Sequence, residues 1–189
     1  MKKRLTALFI AAVMSIGMIA CGSAQTDMSA ATRDASTRGS VTYIDDEAIA
    51  LAGSVRSAGM TEAEQQRADE LRAIAVAAFD KVNAERAARG LAAFAWDEDL
   101  ERCAQVRASE IVSTFSHSRP DGSDFWTINS DLMWAENVAK GYADADSLVA
   151  AWMNSPTHAA NILDGELVTC SIAVYEANGK LYYAQEFGY

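Results

Sequence analysis

The spacing of apolar residues changes character several times along the chain. Residues 5–20, "LTALFIAAVMSIGMIA", are almost unbroken apolar sequence. Residues 22–40, "GSAQTDMSAATRDASTRGS", have no hydrophobic period at all and read as a flexible tether. Residues 41–60 fit neither template cleanly, although "YIDDEAIALAGSV" permits a short helix capped at Asp45 or Asp46. From Thr61 the pattern becomes helical. "TEAE" has the form of a capping box, and Leu71, Ile74, Ala75, Ala78 and Val82 follow at the spacing of one helix face. Gly90 marks the stop. A second helix is predicted from about Asp97, with Leu100, Cys103, Ala104, Ala108, Ile111 and Val112 as its buried stripe. A third runs from Asp144 or Asp146 to Asn154, with Leu148, Val149 and Trp152 inward. Pro156 ends it and suits the first turn of another short helix capped by Ser155.

The period then drops to two. "LVTCSIAVYE" and "KLYYAQEFG" flank Asn178-Gly179, a pair that favours the tight turn of a hairpin. Thr169, Ser171 and Ala173 would share one face of the first strand, and Cys170, Ile172 and Val174 the other. Helices followed by a sheet predict a layered α+β domain.

Composition narrows the partners. The 189 residues fit one domain with extra segments. The net charge is −10, and no basic cluster follows the first few residues, so nucleic acid is excluded as a natural partner. Lys2, Lys3 and Arg4 precede the apolar run, which makes residues 1–20 an export signal rather than a membrane span. Cys21 follows directly in "GMIAC". This segment resembles the lipobox of a bacterial lipoprotein, which implies lipidation of Cys21 and attachment to a membrane; Met18 stands where leucine is usual. The alternative is a plain secreted chain. Loss of the signal takes the charge from −10 to −13. Export also makes a disulfide between Cys103 and Cys170 possible, against two buried thiols.

Both histidines of the chain sit in short polar segments, "FSHSRPDGS" and "SPTHAANIL". In the first, Pro120-Asp121-Gly122 predicts a turn that would hold His117 at the end of the second helix. Ser116, Ser118 and Ser155 neighbour these histidines, but neighbouring positions do not place a hydroxyl on a base. Trp96, Phe125, Trp126 and Trp134 fit a core or a cleft wall.

Four segments in order, "FSHSRPDG", "AENVAKG", "AWMNSPTHAANIL" and "YYAQEFG", resemble the CAP superfamily of cysteine-rich secretory proteins, antigen 5 and pathogenesis-related 1 proteins, in its bacterial branch. "VNAERAARGLAAFAWDEDLERCAQVRASEI" fits its opening helices, and the resemblance covers residues 68–189. It implies a three-layer α-β-α sandwich over residues 61–189, behind a tether at 21–60. It also implies a polar cleft lined by His117, Glu136 and His158, with Ser155, Asn137 and Asn161 in support. Many eukaryotic members carry a second glutamate where Ser155 stands here.

Two histidines and a carboxylate can bind zinc or another divalent metal with one position open. Three functions follow as expectations. One is a cell-surface binder of a small ligand, lipid or wall component, the reading the sequence favours. Another is a metal-dependent hydrolase using the same residues. The last is a structural envelope protein.

Overall fold

A computed structural model describes residues 31–32 and 59–189. The export signal, Cys21 and the short helix proposed near Asp45 lie outside the described residues.

Helix α1, Glu62–Ala87, opens on the expected capping box: the Thr61 amide donates to the Glu64 carboxylate at 2.8 Å and the Glu64 amide to the Thr61 hydroxyl at 3.3 Å. Its buried face is Ala75, Ala78, Val82 and, unexpectedly, Arg86. The Arg86 guanidinium lies over the Phe94 ring and donates to the carbonyls of Ala92, Ile162 and Asp164, which ties distant loops to this helix. Gly90 takes a φ of 73°, open to glycine without penalty. Helix α2, Glu98–Glu110, is capped by Asp97, whose carboxylate accepts from the Leu100 amide at 2.8 Å. Helix α3, Ala145–Asn154, is capped by Asp144. Helix α4, Pro156–Ile162, follows at once with Pro156 in its first turn; Ser155 holds the cap position, but its side chain makes no capping bond.

The sheet is antiparallel, in the order β1-β2-β4-β3, with β1 at Ala31–Thr32, β2 at Ala135–Lys140, β3 at Thr169–Ala177 and β4 at Lys180–Gly188. The β3–β4 hairpin turns on Asn178 and Gly179, both at positive φ, as the Asn-Gly pair predicts. Two features depart from the sequence reading. Strand β2 sits between α2 and α3 rather than after all the helices. Residues Ala31 and Thr32, read as tether, form a strand on β2.

Helices cover both faces of the sheet. Ala75, Ala78 and Val82 of α1, Leu148, Val149 and Trp152 of α3, and Ile162 of α4 pack with Ala135, Ala139, Cys170, Ile172, Tyr183 and Phe187. On the other face, Ala104 and Ala108 of α2 meet Ala173 and Ala184. The arrangement is therefore a three-layer α-β-α sandwich. Four alanines at the α2 contact let that helix approach the sheet closely, since the contact is made by methyl groups alone. This close approach positions the site.

Candidate functional site

Alternation along β2 and β4 sorts their polar residues by face. Glu136 pairs across the strands with Glu186, on the α2 face. The next pair, Asn137 with Gln185, faces α4. Two polar networks result, back to back through the same strands.

The charged network begins at Arg107, between Ala104 and Ala108 on α2 and fully buried. Its guanidinium grips Glu136 with two bonds: Nε to Oε2 at 2.6 Å and an Nη to Oε1 at 3.2 Å. It also donates to Glu110 at 2.8 Å and to the Ser116 carbonyl at 2.7 Å. Arg119 closes on the other side of Glu110 at 2.8 Å. His117 Nδ1 lies 2.8 Å from Glu136 Oε1. An ionised carboxylate only accepts, so Nδ1 carries the proton of this bond. His117 is the reachable member, its side chain 20% exposed against 0% for Glu136 and Arg107.

Its local frame is the turn foreseen from the sequence. The Gly122 amide donates to the Arg119 carbonyl, Asp121 accepts from Ser123, and the Phe125 amide donates to the His117 carbonyl. Gly122 takes a φ of 86°. Ser116 Oγ accepts from the Ser118 amide, so it serves the same turn.

The two glutamates differ in charge. Burial alone would raise the Glu136 carboxyl, but the bonds from His117 and Arg107 outweigh it and hold the group below the usual carboxylate range. Glu186 is pushed well above that range, first by burial and then by the negative charge of Glu136 beside it. The pair is thus asymmetric: Glu136 is held toward its ionised form and Glu186 toward its neutral one. Arg107 stays charged: burial opposes the charge, and the carboxylates of Glu136 and Glu110 more than compensate.

The amide network carries no formal charge. Asn137 Nδ2 donates to the His158 carbonyl at 3.2 Å and to Gln185 Oε1 at 2.9 Å. Asn161 Nδ2 reaches Asn137 Oδ1 at 3.1 Å and the Glu136 carbonyl at 3.4 Å. Gln185 in turn donates to the Cys170 sulfur at 3.4 Å.

The structure therefore joins His117 to Glu136 and joins Asn137, Asn161 and the His158 backbone, but in separate networks. Of the three expected cleft residues, His117 and Glu136 meet directly, Glu136 and His158 are fully buried, and the strand alternation directs Glu136 and Asn137 to opposite faces. Among the described residues, no group of three or more His, Cys, Asp or Glu side chains is placed to hold a metal ion. Both oxygens of Glu136 face donors that a cation would have to displace, so the residues as arranged do not fit a metal. Ser155 stands apart, its hydroxyl 3.3 Å from that of Thr157.

Cys103 and Cys170 are free, buried thiols, so the disulfide that export permits is not formed. Burial pushes the Cys103 thiol up to about 12 and the Cys170 thiol up as well, which makes both poor nucleophiles. The aromatic residues act as core or wall: Trp96 packs edge-on against Phe79 and donates to Glu101, and Phe125 supports Trp126.

Arg107 and Glu186 were missed by the sequence reading. Arg107 carried a signal: it lies three residues after Ala104 and four before Ile111, on the predicted buried stripe. Glu186 lies two residues after Ala184 on the same strand face.

The cysteine-rich secretory protein family model matches residues 79–187. The chain is 31% identical over 125 residues to the uncharacterized protein YkwD of Bacillus subtilis, a match spanning 60% of this chain and 48% of that one. An extracellular protein of Bacillus anthracis that contains an SCP domain superposes with a TM-score of 0.59 at 22% identity, over 68% of this chain and 44% of that chain. An outer surface protein of Borrelia burgdorferi superposes with a TM-score of 0.52 at 18% identity, over 58% of this chain and 87% of that one. The chain thus spans about half the length of YkwD and less than half of the Bacillus anthracis protein. Motifs, layers and family match agree, and the chain belongs to the cysteine-rich secretory protein, or CAP, family.

Proposed function

We propose that the protein is an exported, cell-surface binding module whose ligand contacts the His117 side of the CAP domain, and that it does not turn its ligand over. The observation that carries this reading is the commitment of Glu136. Its carboxylate meets Arg107 through both oxygens and His117 through one. A carboxylate so saturated is poor as a general base, because each donor lowers its basicity. The member of this network that reaches solvent is the part-exposed imidazole of His117, held by its bond to Glu136. A fixed imidazole with a buried charged support is a recognition element for a polar group.

The surface location draws on the basic, apolar start of the chain, on the lipobox-like Cys21, and on the extracellular and outer-surface relatives. Among the described residues no helix is long and apolar enough to cross a membrane, so attachment in this reading is through a lipid on Cys21. The ligand classes are a wall component, a lipid headgroup or another small polar molecule.

A hydrolase reading keeps one specific observation in its favour. The His117–Glu136 pair at 2.8 Å has the form of a base with its orienting acid. Mass spectrometry of small molecules and metals retained by the purified chain separates the two, run alongside casein and wall-peptide turnover assays. The binder reading expects a retained organic molecule that disappears in His117→Ala and no turnover. Turnover lost in Glu136→Gln with folding intact would reverse the assignment.

A further inference from the structure

Strand β1 is two residues long and comes from a part of the chain more than 100 positions before its partner (without it, β2 would be the open edge of the sheet). Ala31 stands opposite Glu136 and Thr32 opposite Ala135, in antiparallel register. The contacts that hold these residues follow the strand alternation. Ala31 shares the α2 face and packs beside the apolar cluster of Leu100, Cys103, Phe125, Ile128 and Met133. Thr32 is held on the α4 side, where its hydroxyl donates to Asn161 Oδ1 at 2.8 Å. The same Asn161 side chain donates through Nδ2 to the Ala31 carbonyl at 3.3 Å. One buried amide thus bonds both a backbone carbonyl and the following side-chain hydroxyl, while sheet pairing holds the backbone from the other side.

A single asparagine that reads a carbonyl, a sheet edge that reads backbone, and an apolar cluster packed against a small residue form the recognition set for an extended polypeptide. Little in it requires that the strand belong to this chain, since most of the selectivity comes from main-chain atoms. We propose that the β2 edge, with Asn161 and the apolar cluster beneath it, is a binding site for an extended peptide carrying a small apolar residue followed by a hydroxyl residue. Ala31 and Thr32 occupy it as an internal competitor, and a peptide from another protein takes the same place when they leave. This rests on the proposed role of the domain as a binder and names a ligand class for it.

Competition by the internal strand lowers the apparent affinity of any incoming peptide by the fraction of molecules in which the edge is open. Removing the internal strand must therefore strengthen binding. The test uses the full chain and a fluorescent synthetic peptide, SAATRD, with binding read by anisotropy. Replacing both Ala31 and Thr32 by proline removes the backbone donors the strand needs, at residues outside the helices. The double variant is expected to bind the peptide about tenfold or more tightly than the wild-type chain. Two altered peptides probe the site without touching the fold. Valine in place of the threonine removes the hydroxyl that Asn161 accepts and is expected to weaken binding about fivefold. Tryptophan in place of the second alanine is too large to pack where the alanine meets the buried cluster and is expected to abolish binding.

Equal affinity of wild type and the proline variant, or equal affinity of all three peptides, overturns the proposal. So does absence of peptide binding to the proline variant. In either case a retained molecule that still depends on His117 leaves the binder reading standing, whereas loss of both signals removes the two together.

Discussion

Adjacent residues of one strand, Glu136 and Asn137, anchor two networks that solve the same problem differently. Each must bury polar atoms between sheet and helix. On the α2 face the solution is ionic: Arg107 neutralises Glu136, burial and the Glu136 charge hold Glu186 toward its neutral form, and Glu110 and Arg119 extend the alternation outward to half-buried positions. On the α4 face it is neutral: Asn137, Gln185 and Asn161 exchange amide hydrogen bonds with each other and with the His158 backbone. The difference matters for function. The ionic face responds to pH and holds the imidazole that reaches solvent. The neutral face uses only uncharged amide and carbonyl groups and fixes α4 to the sheet edge.

The comparison can be broken most severely at Arg107. Arg107→Met leaves Glu136 buried without its counter-charge and is expected to cost about 3–5 kcal/mol in urea unfolding. Adding Glu136→Leu should restore much of that loss, because the carboxylate left buried without its counter-charge is then removed. If the double variant is no more stable than Arg107→Met, the ionic network is not coupled as described.

Asn137→Ala should cost less, about 2–3 kcal/mol, through its lost hydrogen bonds and the small cavity. A cost as large as that of Arg107→Met would erase the contrast between the faces.

Third comes the pH dependence itself. Glu186 has a folded-state value above its unfolded one, so its contribution is fully present below about 4.5 and is lost as pH rises toward the folded value. Glu136 is lowered, so its contribution is present above about 4.5 and is lost as pH falls through the folded value. Over the range above 4.5, wild-type stability should fall with rising pH by up to about 1.4 kcal/mol per pH unit more than that of Glu186→Gln. Parallel stability curves for the two proteins would show that Glu186 is already ionised.

The smallest effect is expected at His117. His117→Ala removes one bond to an ionised group from a part-exposed position and should cost about 1 kcal/mol of stability while removing ligand retention. A large loss of stability with ligand still retained would make His117 a structural residue.

Legibility in the sequence follows from how local each signal is. The capping box at Thr61, the Asp97 cap, the Pro120-Asp121-Gly122 turn and the Asn178-Gly179 hairpin are written in neighbouring residues, and each has its expected form. Strand β2 was not legible as a strand. "AENVAK" has little β-branched or aromatic content, and it is a strand because β4 pairs along its whole length. The pairing of Glu136 with His117 was foreshadowed by the family motifs, yet the opposite facing of Glu136 and Asn137 was not, because it depends on strand register, which no local feature of residues 135–140 specifies. Arg107 looked like a surface residue of a helix because charged residues usually are; only its place on the alanine stripe argued otherwise. Ala31 and Thr32 carry no hydrophobic period, and their strand exists because Asn161 and the β2 edge supply partners from far along the chain.

The charge asymmetry between the paired glutamates can be read directly by following side-chain carboxyl carbons by NMR in the labelled protein as pH is varied. The account predicts that Glu136 remains ionised at pH values below the ordinary glutamate value of about 4.5, while Glu186 remains protonated well above it. Two carboxyls that titrate together near 4.5 would contradict it.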